Sequence, residues 1–382
     1  MIDVYIVGIG QTNAGEHWDR SLRDLGVDAM LAALQDAGVG QVETLYVGNM
    51  LAGELVAQAQ LGALLADWSG LGCIEAIRAE AADASGAAAL RMGYLAVASG
   101  ASDLVLACGV EKTTDADSES ADQAWSSGMD GEYETSQGLS MPAVGGLLMR
   151  RYMHEHGVGR EAFAPFAVNA HANGANNPYA MFQRPISIEA YAHSGMVADP
   201  VGMFDVAPLC DGAAAVVLCA ADRARELAAK PVRVRASAVA TDRVALHSRT
   251  DPLSLQAAHL SALKAYAQAG VGPHDIDLFE LHDSFSVMAA LSLEACGFAE
   301  RGHGTDLGLD GEIGLQGRIP ISTMGGLKAR GHPLGATGIY QVVELAQQLR
   351  GEAGANQLDC RLGMAQSLAG SGATAITHIL EA

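Results

Sequence analysis

The stretch Arg78-Ala79-Glu80-Ala81-Ala82-Asp83-Ala84-Ser85-Gly86 carries an apolar strand near Cys73 to Ile77 into a small-residue helix that reaches Ser99. A second stretch, Gly325-Gly326-Leu327-Lys328-Ala329-Arg330-Gly331-His332-Pro333-Leu334-Gly335-Ala336-Thr337-Gly338, opens another helix in the same way. Outward from each, the same order of elements recurs. Apolar spacing predicts a strand at Val4 to Ile9, a helix at Ser21 to Ala37, a strand at Leu45 to Gly48 and a helix at Val56 to Ala66 before the first stretch. Strands at Leu104 to Gly109 and Gly212 to Cys219 complete that half. Before the second stretch come a strand at Val232 to Ala240, a helix at Leu255 to Ala269, a strand at Leu278 to Leu281, a helix at Phe285 to Ala295 and a strand at Ile319 to Thr323. Strands at Leu362 to Ala365 and Thr374 to Leu380 close it.

Alternating strands and helices imply mixed sheets covered by helices, and repetition of the whole order implies a pseudo-twofold duplication into halves 1–222 and 223–382. The loops at Asp83 and His332 then occupy equivalent positions, each before the third helix of its half. Two helix N-termini can converge on one site, where amides and dipoles favour a developing negative charge. Residues 111–205 interrupt the strand order. They read as a substrate-covering insertion, because Tyr152, Phe163, Phe166, Tyr179 and Phe182 supply too much apolar area for a flexible linker.

The chain has 382 residues, 49% of them hydrophobic, with 45 glycines, which fits a compact α/β protein. No apolar run approaches the ~18 residues of a membrane span, and no basic segment precedes the first apolar run, so a cytoplasmic protein is expected. The formal charge of -21 argues against a nucleic-acid partner. Six cysteines show no Cys-x-x-Cys pair and no close spacing to histidine, which argues against a zinc site or a disulfide framework. His154 and His156, two apart in a polar and helical stretch, read as solvated surface rather than as ligands.

Three segments carry a family resemblance. The Asp83 loop resembles the nucleophile loop of thiolases, in which cysteine stands where Asp83 is. Glu280-Leu281-His282-Asp283-Ser284-Phe285 resembles the His-Asp-x-Phe motif of sterol-carrier-protein-type and archaeal thiolases, and Gly331-His332-Pro333 the Gly-His-Pro motif of the family. Asp211-Gly212-Ala213-Ala214-Ala215 and Gly370-Ser371-Gly372-Ala373 are similar too, so the resemblance spans the chain in family order. It implies a thiolase fold: two βαβαβαββ halves in five layers, αβαβα, with an inserted loop domain. It also implies making or breaking of a carbon-carbon bond beside a coenzyme A thioester, with acyl-CoA as substrate and no covalently bound cofactor or metal. His282 and His332 would donate to an enolate oxygen, and backbone amides at Asp83 and near Ala369 would form a second oxyanion hole. Gly325, Gly326, Lys328 and Arg330 are assigned to coenzyme A, whose anionic groups need a local basic segment in so acidic a chain.

Asp83 departs from the pattern. A thiolate at a helix N-terminus is nucleophilic and leaves well, whereas a carboxylate attacking a thioester would give a mixed anhydride, an uphill product. Asp is in contrast a favoured N-cap. The proton-transferring cysteine is absent as well: Ser284 or Ser367 stands at the matching positions, and His282 or Asp283 would have to take the proton. Three readings stay open. They are an acetyl-CoA acetyltransferase by descent that is impaired by Asp83, a cysteine-independent acyl-CoA lyase acting by aldol cleavage or decarboxylation, and a non-catalytic acyl-CoA-binding subunit. The resemblance further implies a homodimer or tetramer, with a small zinc-ribbon and OB-fold subunit as a possible partner.

Overall fold

The computed structural model describes residues 2–382. Strand β1 (Val4–Gln11) leads to helix α1 (Leu22–Asp36), which starts in a capping box: Ser21 Oγ accepts from the Asp24 amide, and Asp24 accepts from the Ser21 amide. Strand β2 (Thr44–Gly48) follows. The single helix expected over Val56 to Ala66 is two pieces, α2 (Ala52–Leu55) and α3 (Leu61–Trp68), because Ala57 and Gln60 take positive φ, which no helix accommodates. Strand β3 (Glu75–Ala79), helix α4 (Ser85–Ser99) and strand β4 (Leu104–Glu111) come next.

The insertion holds α5 (Ser118–Ser126), α6 (Met141–His156), α7 (Ala164–Gly174), α8 (Ile188–Ala192) and the short pair β5 (Met196–Ala198) and β6 (Val201–Gly202). After it come β7 (Gly212–Ala220) and α9 (Ala221–Leu227). The second half runs β8 (Val232–Thr241), α10 (Gln256–Ala269), β9 (Leu278–Glu280), α11 (Ser286–Ala295), α12 (Gly304–Leu309), α13 (Thr337–Arg350), β10 (Leu362–Ala369) and β11 (Thr374–Glu381). The strand expected at Ile319 to Thr323 is absent. Pro320 has no N–H to donate, and the segment makes only a single bridge, Phe279 to Ile321, with the Phe279 amide donating to the Pro320 carbonyl at 2.9 Å.

Strand order is β3-β2-β4-β7-β1-β8-β11-β10-β9, a nine-stranded sheet in which the second half repeats the order of the first without a counterpart of its edge strand β3. The halves meet edge to edge where Val4, Tyr5 and Ile6 pair antiparallel with Val234, Arg233 and Val232. Helices α1 and α3 cover the outer face of the first half, and α10 and α11 that of the second. Between the halves α4 and α13 pack on each other and on strands of both, enclosing one shared apolar cluster. Glycine permits their close approach. A Cβ on Gly86 would sit 2.7 Å from the Gly335 carbonyl oxygen, and one on Gly338 would sit 2.5 Å from the Ala87 nitrogen. The starts of the two inner helices are thus held side by side.

Four of the six cysteines are buried, Cys73 is exposed and Cys360 half-buried. His154 is exposed as expected, but His156 packs its ring against Tyr152 at 4.6 Å and is half-buried. Among the described residues no helix is long and apolar enough to cross a membrane.

Candidate active site

The chain leaves β3 and turns at Ala82, whose φ of 46° is strained for a residue with a Cβ. Ser85 braces that turn: its hydroxyl donates to the Ala82 carbonyl at 2.6 Å and accepts from the Ala81 amide at 2.9 Å. Asp83 does not cap the helix. Ala84 holds the N-cap position without a side-chain bond, and the Asp83 carboxyl points inward, buried, with Oδ1 lacking any partner. The capping role open to it by residue type is therefore not used.

His282 lies just beyond β9. His332 lies between a buried turn at Gly326–Arg330 and α13, with its amide bonded to the Pro208 carbonyl at 2.9 Å. The two imidazoles cross edge to face with centroids 5.1 Å apart, and one ligand atom each of Asp83, His282 and His332 lie within 4.8 Å of one another. All three residues are buried, and both ring nitrogens of His282 and Nε2 of His332 have no partner. His332 Nδ1 and the Thr337 hydroxyl are 2.8 Å apart. When that hydroxyl donates, Nε2 carries the proton and faces the site as a donor.

Burial pushes the Asp83 carboxyl up to about 7, with Glu111 and Glu80 adding repulsion, while the Trp125 indole and the Gly370 amide act against the rise. Burial pushes His282 down to about 3, with Arg330 adding to it; His332 is driven well below its usual range by burial, by His282 and by Arg330. Near neutral pH both rings are uncharged donors, and Asp83 sits where a proton can be taken up or released.

The structure brings only some of the expected residues together. Ser284 is buried beside His282 and uses its carbonyl to accept from Ala207 at 2.8 Å; Ser367 is also buried, and its hydroxyl has no partner. Asp283 is held by the Leu327 amide at 2.8 Å and the Ser322 hydroxyl at 3.3 Å, so it serves the turn rather than the site. The amide that acts on the Asp83 carboxyl belongs to Gly370, one residue past Ala369; Ala369 itself packs against Ala84 and Ala87. The expected coenzyme A contacts correct more sharply. Gly325, Gly326, Lys328 and Arg330 are buried. Lys328 Nζ donates to the Asp205 carbonyl at 2.6 Å, and Arg330 pairs with Glu344 at 3.0 Å, so neither cation is free to meet a solvent-borne phosphate.

Two contributors escape sequence reasoning. Trp125, from the insertion, stands edge-on to His332 at 5.9 Å and stacks on Phe285 at 5.7 Å. A lone tryptophan in a polar segment is its only signal. Glu111, at the end of β4, accepts from Asn49 Nδ2 and the Met50 amide at 2.8 Å and from the Leu51 and Gly335 amides at 3.1 Å, tying the loop of one inner helix to the sheet of the other half.

Two half-sheets around a pair of inner helices, with a buried carboxyl and one imidazole at the helix starts and a second imidazole at the exit of β9, define a repeated α/β scaffold with one enclosed polar cluster. Family models agree over nearly the whole chain: "Thiolase, N-terminal domain" matches residues 4–222 and "Thiolase C-terminal domain-like" matches residues 238–382. The chain belongs to the thiolase family, whose members act on coenzyme A thioesters. It is 46% identical over 382 residues to an acetyl-CoA acetyltransferase of Methanothermobacter thermautotrophicus, covering 99% of each chain. It is 40% identical to an acetyl-CoA acetyltransferase of Methanocaldococcus jannaschii, covering 100% of this chain and 99% of that one. Among solved structures, the Ltp2-ChsH2(DUF35) aldolase superposes with a TM-score of 0.85 at 27% identity, covering 100% of this chain and 98% of that one.

Proposed function

We propose that this protein makes or breaks a carbon-carbon bond beside a coenzyme A thioester by an aldol-type route that needs no acyl-enzyme. In the cleavage direction Asp83 takes the hydroxyl proton of a 3-hydroxyacyl-CoA, and the bond between C2 and C3 breaks. The electron pair moves onto the thioester as an enolate held by the imidazole N–H groups of His282 and His332. A carbonyl product leaves, and C2 regains a proton from the protonated Asp83 to give the shorter acyl-CoA. The observation that carries this reading is the trio itself: a buried carboxyl with an unpaired oxygen facing two neutral rings with unpaired nitrogens, and no thiol. The likeness to an aldolase at 27% identity supports it.

Coenzyme A would enter by a cavity of about 730 Å³ lined by Arg150, Arg151, His154, His247, Arg249 and Glu134; Arg150 and Arg151 are exposed, and their surface pairs with Asp199 and Glu155 can be exchanged for a phosphate, unlike the buried pair of Arg330. Arg249 donates to the Ser371 carbonyl at 2.7 Å, next to Gly370 and so next to Asp83. A homodimer or tetramer with a small zinc-ribbon and OB-fold subunit, working in the cytoplasm, is the assembly we propose, supported by the DUF35 component of the aldolase neighbour.

Exchange of the C2 protons of acetyl-CoA into deuterated solvent tests the reading. Exchange above the buffer rate, slowed by His332→Ala, is expected; none, with coenzyme A binding intact, would sink it. Full-length identity of 46% to an acetyl-CoA acetyltransferase favours a second reading, acyl transfer impaired by Asp83. It requires that Asp83→Cys restore thiolysis of acetoacetyl-CoA, alone or together with Ser284→Cys.

A further inference from the structure

The Asp83, His282 and His332 cluster has a second chemical meaning that does not depend on the reaction proposed above. Two imidazole nitrogens and one carboxylate oxygen are the donor set that zinc, cobalt(II) and iron(II) prefer, whereas magnesium and calcium favour oxygen alone. The three donors come from three separate segments: the start of α4, the exit of β9 and the loop before α13. Each carries a buried atom without a partner, namely Asp83 Oδ1, both nitrogens of His282 and Nε2 of His332. Buried polar atoms without partners are costly and few, and here they fall on three residues that each bring one ligand atom within 4.8 Å of the others.

We propose that Asp83, His282 and His332 together bind one divalent transition-metal ion of the zinc, cobalt(II) or iron(II) class. The donors lie within 4.8 Å of one another, and donors around a tetrahedral ion stand about 3.3 Å apart, so side-chain rotations of roughly 1 Å complete the site. Thr337 supplies the supporting contact. With Nδ1–H donating to its hydroxyl at 2.8 Å, His332 presents a lone pair at Nε2. A cation also offsets the cost of a carboxylate buried beside Glu111 and Glu80, both of which repel its charge. A cavity of about 410 Å³ lined in part by Trp125 and Leu209 lies on the outer side of this region: Trp125 stands edge-on to the His332 ring, and Leu209 pairs with its backbone. Three protein donors leave at least one position open.

Metal loading and enolate stabilisation exclude each other, because the first uses ring lone pairs and the second uses ring N–H groups at the same atoms. The ion is therefore expected to inhibit.

The test uses the full-length protein stripped with a chelator and dialysed, titrated with cobalt(II) at pH 8 and followed by visible absorption, with zinc(II) affinity measured by competition against a chromophoric chelator. One equivalent of cobalt(II) with intense d–d bands is expected. Asp83→Asn and His282→Gln should each weaken zinc(II) binding at least tenfold with unchanged circular dichroism; if one fails to fold, the other still decides. Absence of d–d bands, or affinity unchanged in the folded variants, would overturn the site and assign the ion to exposed acidic groups. The same stripped protein is assayed for deuterium exchange with and without one equivalent of zinc(II). Exchange without metal binding defeats only the metal site, and metal binding without exchange in the stripped protein defeats only the proposed reaction.

Discussion

The starts of α4 and α13 are the same place in the two halves of a duplicated fold, yet they are furnished differently. Neither helix has a side-chain cap, since Ala84 and Ala336 hold the N-cap positions, so both positive dipole ends are left facing the enclosed space. The first start offers an acid, Asp83, with no partner at Oδ1. The second offers a neutral imidazole, His332, whose far nitrogen is fixed by Thr337. The repeated order of elements thus frames two helix starts side by side, while the groups proposed to react are non-equivalent residues placed on that frame.

The sharpest way to break the comparison is to separate the two helix starts. Gly338→Val would place new atoms against the backbone of Ala87, which cannot yield as a flexible side chain does. A loss of about 3 kcal/mol or more is expected, with exchange activity abolished, because overpacked contacts of this kind must shift backbone. Thermal melts measure it. Gly53→Ala is the control: a Cβ there meets nothing within 4 Å, and the melting temperature should stay level or rise slightly. Equal melts for the two variants would show that the inner helices are not in contact.

Removing one donor at the second start comes next. His332→Ala should slow deuterium exchange roughly 10²-fold, as loss of one oxyanion donor does elsewhere. Thr337→Val keeps the ring and loses only the contact that selects its tautomer, so a smaller fall, about tenfold, is expected. A Thr337→Val rate equal to that of the unaltered protein would remove Thr337 from the site.

A second buried carboxyl of the first half, Glu111, sharpens the comparison further. Burial lifts Glu111 to about 7, as it does Asp83, but Glu111 accepts from one side-chain amide and three backbone amides. Its work is structural. Glu111→Gln replaces an acceptor oxygen with a donor facing other donors and should cost about 1–3 kcal/mol in chemical denaturation. A variant as stable as the parent would mean those amides find other partners.

These distinctions mark what the sequence can and cannot disclose. Strand and helix periodicity made nearly every element legible, and His282 and His332 stood out because their segments resemble the His-Asp-x-Phe and Gly-His-Pro motifs of thiolases. What escaped depends on three-dimensional neighbours. Lys328 and Arg330 looked like a coenzyme A patch because local sequence shows charge but not Glu344 or Asp205, the distant partners that absorb it. Pro320 stops a strand that apolar content predicts, and Trp125 reaches the site from an insertion with no periodic signal. The Asp83 side chain could equally have capped its helix. Only the inward direction of the carboxyl separates the two roles.

The smallest expected effect is also the most discriminating, because stability and activity should move in opposite directions. Asp83 titrates near 3.8 in an unfolded chain and about 7 here. Between those values the folded state holds a proton that the unfolded state has lost, so stability falls as pH rises from about 4 to 7, and the penalty is complete above the folded value. Asp83→Asn abolishes this dependence. Its amide is just as buried and gains no certain partner, so much of the gain is cancelled, and a net stabilisation of about 1 kcal/mol at pH 8 is expected, shrinking to nothing near pH 4. The same variant should lose deuterium exchange, because an amide cannot carry the proton. A residue kept at a cost to the fold and needed for chemistry is working in the site. If Asp83→Asn were instead less stable at pH 8 than at pH 5, relative to the parent, the carboxylate would have a partner in the folded protein, and the acid-base role would have to pass to another group.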